Sequence, residues 1–143
     1  MAQPKRTPCV GICSTTYGDL VCRGCKRFAH EIVQWNGYTG AQQAVIWQRL
    51  NQLRDDVVAS HLTIVDQARF SSACHQAKCD SVSNLTAAYQ VMRHLVGMNM
   101  GLVQAGLAAK DPDATALSIL KAVDAELYAR SMAHYERNFK VPL

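Results

Sequence analysis

The sequence predicts a mostly α-helical fold, in which a small four-cysteine metal-binding unit of the knuckle or hairpin type is followed by a helical bundle. Four cysteines stand in two close pairs near the start of the chain. After residue 40, proline and glycine are sparse and apolar residues recur at helical spacing. Apolar residues make up 49% of the 143 positions, enough for a real core. We therefore expect a metal-binding unit over residues 1–60 and a helical region over residues 61–143.

The cysteine unit has the spacing C-x3-C-x8-C-x2-C. Cys9 and Cys13 form the first pair, and Cys22 and Cys25 form the second. Separations of two to four residues are typical of structural zinc sites, because one tight turn directs both sulfurs at one ion. The Tyr-Gly-Asp triplet between the pairs suits a turn that joins two short strands. We expect all four thiols to be ligands of one metal centre.

The spacing leaves the identity of the metal open. Neither common ferredoxin pattern is present, since the chain has no C-x2-C-x2-C-x3-C run and no C-x4-C-x2-C run. Four cysteines nevertheless hold either a zinc ion or an iron–sulfur cluster. The two-turn spacing by itself favours zinc.

The net charge of +4 is concentrated around these cysteines. Residues 1–30 contain one acidic side chain and five basic ones, and the ten basic and ten acidic residues that follow cancel. The five basic residues are Lys5, Arg6, Arg23, Lys26 and Arg27. The first interpretation is that they offset the negative charge of a four-thiolate centre. The second is that they contact phosphate or another anion, as in a nucleic-acid-binding protein.

Two helices are predicted directly after the cysteine unit. The first begins at the second cysteine pair and ends at Asn36-Gly37, where glycine suits a left-handed C-cap. The second runs from Thr39 to about residue 60, and Gln42 completes a capping-box pattern at its start. Trp35 and Trp47 are expected to pack these two helices against the metal unit.

Three further helices are predicted in the remainder of the chain. They cover residues 62–79, residues 85–109, and the segment from the Asp111-Pro112-Asp113 break to about residue 138. Their apolar stripes predict a packed bundle. In the last helix the stripe consists of Leu117, Leu120, Val123, Leu127 and Tyr135.

Residues 8–50 resemble the DUF1289 family of small bacterial proteins. The shared motifs are Pro-Cys-Val-Gly-Ile-Cys from Pro8, Cys-Arg-Gly-Cys from Cys22, Glu-Ile-Val-Gln-Trp from Glu31, and Arg49-Leu50. Members of that family are described as iron–sulfur proteins on the strength of their cysteines. The resemblance implies that the four cysteines are ligands, and it raises the iron–sulfur cluster to equal standing with zinc.

A second group of metal-ligand residue types lies in the predicted helical region. Cys74, His75 and Cys79 form it, and positions 75 and 79 of one helix share a face. Two or three such residues make at most part of a site, and cysteines are common small core residues. A disulfide between the two cysteines is disfavoured in a reducing compartment.

The composition and motifs favour some functional classes over others. The N-terminus lacks the apolar stretch of a signal peptide, and no apolar run is long enough to span a bilayer. No phosphate-binding loop, dinucleotide fingerprint or nucleophile elbow occurs. We expect a cytoplasmic, non-enzymatic metal-binding protein whose helical region binds a protein partner or a second copy. The alternatives are an iron–sulfur redox or sensor protein and a nucleic-acid-binding zinc protein.

Overall fold

The computed structural model describes residues 7–9, 13–79 and 84–139. These residues form a mostly helical protein, as predicted. The helices are α1 (Ala29–Gln34), α2 (Gly40–Ala59), α3 (Gln67–Gln76), α4 (Asn84–Gly97) and α5 (Ala116–Asn138), and the strands are β1 (Leu62–Ile64) and β2 (Leu107–Ala109). No helix within the described ranges is long and apolar enough to cross a membrane.

The chain divides into two compact units, and the first unit is made of two segments that are separate in the sequence. The first unit comprises residues 3–52 and 126–143, and the second comprises residues 53–125. Helix α2 begins in the first unit and ends in the second, and helix α5 runs the other way. The last turns of the final helix therefore belong with the cysteine unit rather than with the segment that precedes them.

The prediction for the first short helix is wrong at both ends, because the helix begins at Ala29 rather than directly after Cys25 and lacks the expected glycine C-cap. Helix α1 continues into a 3₁₀ turn over Trp35–Gly37, and the next residue, Tyr38, is extended with φ −76°. Gly37 therefore does not adopt the left-handed conformation expected for it. Trp35 instead packs with Ile46 and Leu50 of α2, and Trp47 lies against the same cluster.

The start of α2 confirms the predicted capping box. The Thr39 backbone N–H donates to Gln42 Oε1 at 2.8 Å, and the Gln42 backbone N–H donates to Thr39 Oγ1 at 3.2 Å. The two reciprocal bonds satisfy backbone donors that a helix N-terminus leaves without partners.

The single helix predicted for residues 62–79 is wrong at its start. Leu62, Thr63 and Ile64 form β1, and α3 begins only after Asp66, whose side chain accepts a bond from the Arg69 N–H. Three branched or apolar residues in succession favour extended backbone, and an aspartate before a helix is a strong N-cap. Both signals were present in the sequence.

The predicted helix over residues 85–109 is also divided. Helix α4 ends at Gly97, a 3₁₀ turn covers Leu102–Ala105, and β2 then pairs antiparallel with β1. Gly106 makes this possible, because its φ is +69° and a Cβ there would lie 2.2 Å from the Asp66 carbonyl oxygen. The register pairs Leu62 with Ala109 and Ile64 with Leu107.

The core of the second unit is built from aliphatic and aromatic side chains of every helix in it. The buried ones include Val57, Val58, Phe70, Val91, Met92, Leu95, Leu107, Ile119 and Val123. In α5 the expected stripe is wrong at Leu117, which is 47% exposed, while Ile119 is buried in its place.

Candidate metal centre

The second cysteine pair lies on a hairpin formed by residues 20–29. The Ala29 N–H donates to the Leu20 carbonyl at 2.8 Å, and Val21 and Phe28 form an antiparallel bridge. Val21 and Phe28 are almost completely buried. Hairpin geometry is therefore present around the second pair, rather than in the loop between the pairs where the sequence predicted it.

The loop of this hairpin brings Cys22 and Cys25 together. The Cys22 N–H donates to the Arg27 carbonyl, and the Lys26 N–H donates to the Cys22 carbonyl, both at 2.9 Å. Lys26 takes a left-handed conformation with φ +68°, which reverses the chain directly after Cys25. A hydrogen bond joins the two thiols. The x2 spacing thus forms one tight turn with adjacent sulfurs.

Both thiols of the second pair are buried but differ in their electrostatic surroundings. Burial raises the pKa of Cys25, although Arg27 Nε donates to its Sγ at 3.3 Å and opposes the rise. Burial also acts to raise the pKa of Cys22, but hydrogen bonds from Cys25, Ser14 and Gly24 outweigh it and lower that pKa. The two sulfurs therefore lie among N–H donors, which stabilise thiolates.

Of the first cysteine pair, Cys13 lies near this turn, whereas Cys9 is exposed. Cys13 interacts electrostatically with Cys22, and a hydrogen bond of 3.0 Å with the Thr15 hydroxyl lowers the pKa of Cys13. Cys9 is exposed, and residues 10–12 between the two cysteines lie outside the described residues. Across residues 7–9, 13–79 and 84–139, no three His, Cys, Asp or Glu side chains converge so as to hold a metal ion.

The chain does turn between the two cysteine pairs, but as a 3₁₀ turn rather than as a turn joining two strands. Ser14–Tyr17 make a 3₁₀ turn, and Gly18 follows in the left-handed region with φ +100°. The two strands expected beside it are not formed by the described residues there. Ser14 is buried, and its hydroxyl accepts a 2.8 Å bond from the Arg23 N–H, which ties this turn to the second cysteine pair.

The basic residues near the cysteines have different environments. Lys26 and Arg27 are 5% and 3% exposed, and Lys26 Nζ donates to the carbonyls of Arg23 and Gly24. The Arg27 guanidinium lies 5.0 Å from the Trp35 ring centroid. Two of the expected cations are thus held inside the cysteine unit.

Arg23 is the exposed cation of this group among the described residues. Its guanidinium bonds to Asp19 at 3.3 Å and lies 4.5 Å from the centroid of the Tyr128 ring. Lys5 and Arg6 lie outside the described residues. The surface available for an anion on this part of the protein therefore centres on Arg23.

An ion pair between a buried carboxylate and a half-buried guanidinium connects the cysteine hairpin and α1 to α2, and the sequence did not predict it. Both Glu31 oxygens accept from the Arg49 guanidinium at 2.6 Å, and Glu31 Oε1 also accepts from the Phe28 N–H at 2.9 Å. Glu31 is 4% exposed. The bidentate geometry gives this pair more strength and orientation than a surface ion pair. Glu31 and Arg49 each lie in a motif shared with the DUF1289 family, and this was the signal in the sequence that the two residues matter to the fold.

The end of α5 completes the surroundings of the hairpin. The Phe28 ring lies 5.5 Å from the rings of both His134 and Tyr135, and 5.2 Å from that of Phe139. The Arg49 guanidinium lies 4.4 Å from the Phe28 centroid. Phe28 therefore links the hairpin, α2 and the C-terminal helix in one aromatic cluster.

The second predicted group, Cys74, His75 and Cys79, is only partly assembled. Helix α3 ends at Gln76, so positions 75 and 79 do not share a helical face. The structure instead brings Cys74 and Cys79 together at the end of α3, where the Cys79 N–H donates to the Cys74 carbonyl at 3.1 Å and the two thiols are close enough to interact. His75 is exposed.

Comparison with protein-family models supports the resemblance seen in the sequence. The family model DUF1289, described as a protein of unknown function, matches residues 7–54. The match covers the cysteine hairpin, α1, the Glu31–Arg49 pair and most of α2. No curated protein and no solved structure matches the chain.

Proposed function

We propose that this chain is a non-enzymatic, cytoplasmic metal-binding protein in which Cys9, Cys13, Cys22 and Cys25 hold one structural metal centre. The observation that carries the proposal is the buried turn of the second pair, with adjacent sulfurs and a left-handed residue directly after Cys25. Adjacent thiols on one tight turn supply half of a tetrahedral sulfur site.

The buried cations support the same proposal. Four thiolates around a divalent ion leave two net negative charges, which are costly to bury without compensation. Arg27 donates to the Cys25 sulfur, and the buried Lys26 lies in the same loop. Buried cations can offset the charge of buried thiolates but cannot reach the phosphates of a nucleic acid in solvent. We therefore favour charge compensation at the metal centre over contact with phosphate.

A structural role follows from the proposed ligand set. Four protein thiolates fill the coordination sphere of a tetrahedral ion and leave no position for a substrate. The surrounding groups, Glu31, Arg49 and Phe28, bond to backbone and to each other. The centre would therefore hold the N-terminal segment in register with α1 and α2, and metal binding would be part of folding.

Metal analysis with an absorption spectrum tests the proposal on full-length protein purified without oxygen. One zinc per chain with no visible absorption identifies a zinc site. Iron with inorganic sulfide and broad visible absorption identifies a cluster, and then a redox or sensor role. Cys22→Ser and Cys25→Ser should lose the metal, and Cys74→Ser should retain it. Neither metal at stoichiometric level, or retention in the Cys22 and Cys25 variants, would overturn the proposal.

The helical region is proposed to bind a protein partner or a second copy of the chain. The second unit exposes several large apolar side chains, namely Val65, Met98, Val103 and Leu117. Val103 and Leu117 also line a cavity of about 720 Å³ in that unit. Sedimentation of the wild type and of Val103→Glu over a wide concentration range tests self-association, which the variant should weaken. A wild-type chain that remains monomeric throughout excludes the second copy.

A further inference from the structure

The C-terminus of α3 is a turn that places Cys74 beside Cys79. The Cys79 N–H donates to the Cys74 carbonyl at 3.1 Å, and the Lys78 N–H donates to the His75 carbonyl at 3.2 Å. Lys78, between them, is left-handed with φ +54°. This pair of nested hydrogen bonds around a left-handed residue is the Schellman motif. In that motif the side chains of the first and sixth residues meet, and here both are cysteines.

The side chains agree with this backbone geometry. The Cys79 thiol donates to the Ala87 carbonyl of α4 at 3.8 Å, and it lies close enough to the Cys74 thiol to affect the pKa of Cys74. A disulfide needs its two Cα atoms about 4.4–6.8 Å apart with the Cβ atoms facing each other. The bond from the Cys79 N–H to the Cys74 carbonyl already holds the two ends of the turn together, so a bridge between the side chains does not require the helix to open. Both cysteines are half-buried, so a small reagent can reach them.

The environment disfavours the thiolate of the reduced pair. Burial raises the pKa of the Cys74 thiol, and the bond with Cys79 only opposes the rise. The negative end of the α3 dipole also lies at this turn, which further disfavours an anion. Since a dithiol whose thiolate is poorly stabilised gains more on oxidation, the disulfide should be slow to form and resistant to reduction once formed.

We propose that, when oxidised glutathione or another small-molecule disulfide is in excess, Cys74 and Cys79 form an internal disulfide by thiol–disulfide exchange, which a dithiol reductant reverses. The thiolate of one cysteine attacks the reagent's disulfide, which forms a mixed disulfide and releases one small thiolate. The second cysteine, after losing its proton, attacks the protein sulfur of the mixed disulfide and releases the second small thiolate. The two protein thiols lose two electrons in total, and the reagent gains them. The product closes the end of α3 covalently, independently of any metal in the first unit.

The chain offers a direct readout, because trypsin cleaves after Arg69, Lys78 and Arg93. Cys74 then lies in the peptide 70–78 and Cys79 in the peptide 79–93. Full-length folded protein is incubated with oxidised glutathione, alkylated at low pH and digested. The proposal predicts that peptides 70–78 and 79–93 are recovered as one disulfide-linked species, which separates after treatment with dithiothreitol.

Three comparisons make the test decisive. Cys74→Ser and Cys79→Ser should each carry glutathione on the remaining cysteine, since the second attack is lost. In wild type unfolded with guanidinium, the ratio of linked to glutathionylated peptide should fall by about tenfold, because preorganisation raises the effective concentration of the two thiols. Recovery of both peptides separately from folded wild type, or linkage mainly to cysteines of the first unit, would overturn the proposal. So would an unchanged ratio on unfolding.

Discussion

The two compact units bury different kinds of side chain. All five polar or charged residues that are buried in the described part of the chain lie in the first unit, namely Ser14, Lys26, Arg27, Glu31 and Ser131. The fully buried side chains of the second unit are apolar, with Tyr89 the most polar, and one cation of that unit, Arg54, is half-buried over the Tyr89 ring. Apolar burial contributes about 25 cal/mol per Å² without any partner, whereas buried charges stabilise only when each is paired.

This difference assigns a different source of stability to each unit. The second unit has the larger share of the apolar core and holds itself together by packing. The first unit has two smaller apolar groups, one around Trp35, Ile46 and Leu50 and one around Val21 and Phe28, together with two thiols and several ionic groups in its interior. Because this unit has the smaller apolar core and buries charged groups, a cross-link of another kind would add to its stability, which is the role we propose for the metal centre.

Replacing a cysteine of the second pair should have the largest effect. Cys25→Ser removes a proposed ligand and leaves a buried hydroxyl beside Arg27. The metal-linked free energy of folding, on the order of 10 kcal/mol in small zinc units, should then be unavailable to the first unit. Thermal unfolding of Cys25→Ser and the matched Cys74→Ser checks this. Equal losses of stability in the two variants would contradict the ligand assignment.

Breaking the Glu31–Arg49 ion pair should have the next largest effect. Glu31→Gln keeps an oxygen for the Phe28 N–H but leaves the half-buried Arg49 guanidinium without its charge partner, so the free energy of unfolding should fall by about 1.5–3 kcal/mol. Arg130→Gln is the control, because its ion pair with Glu126 is exposed and should contribute less than about 1 kcal/mol. Denaturant titration measures both. Similar losses of unfolding free energy in the two variants would show that the Glu31–Arg49 pair stabilises the protein no more than an exposed ion pair.

Tyr89 gives the second unit a dependence on alkaline pH. Burial, together with Asp124 Oδ1, which accepts a hydrogen bond from the Tyr89 hydroxyl at 2.8 Å, raises the pKa of Tyr89 to about 12. Below pH 10 both folded and unfolded states are protonated, so the contribution is fully present. Between pH 10 and 12 only the unfolded tyrosine loses its proton, and about 2–3 kcal/mol of stability should be lost.

A comparison with Tyr89→Phe isolates this contribution. The variant keeps the ring beside Arg54 but has no group to titrate, so its stability should fall less steeply between pH 10 and 12. Chemical denaturation at several pH values measures the two slopes. Parallel curves for wild type and variant would rule out Tyr89 as the source.

Removing the capping hydroxyl of α2 should have the smallest effect. Thr39→Ala loses the bond to the Gln42 N–H and should cost about 1 kcal/mol, while Thr39→Ser should cost only a few tenths because it keeps the hydroxyl. The position is exposed, so no packing loss is added. Denaturation midpoints of the two variants check the difference, and indistinguishable midpoints would show that the cap is not stabilising.

The sequence predicted correctly those features that are formed by residues a few positions apart. The Thr39 and Gln42 box, the end of α5 and the pairing of Cys22 with Cys25 depend on residues a few positions apart. The antiparallel pair of β1 with β2 joins segments more than forty residues apart, and no periodicity within either segment reveals its partner. Gly97, Gly101 and Gly106 did signal that no helix continues through residue 109.

The candidate site shows the same limit. The cysteine spacing predicted the tight turn of the second pair, but not that Lys26 and Arg27 are buried or that Glu31 bonds Arg49. The ion pair joins α1 to α2 across eighteen positions, and the Arg27 guanidinium lies over the Trp35 ring, so both features depend on residues beyond the cysteine spacing. A charge count along the sequence could identify the basic residues but not their burial.

Hydrogen exchange before and after metal removal tests the central claim most directly. Full-length protein is measured as purified and again after a strong chelator has removed the metal. The account predicts that amides of Cys22, Lys26 and Ile32 in the first unit lose their protection, while those of Val91, Met92 and Val123 in the second unit keep theirs. Unchanged protection in the first unit, or equal loss in both units, would contradict it.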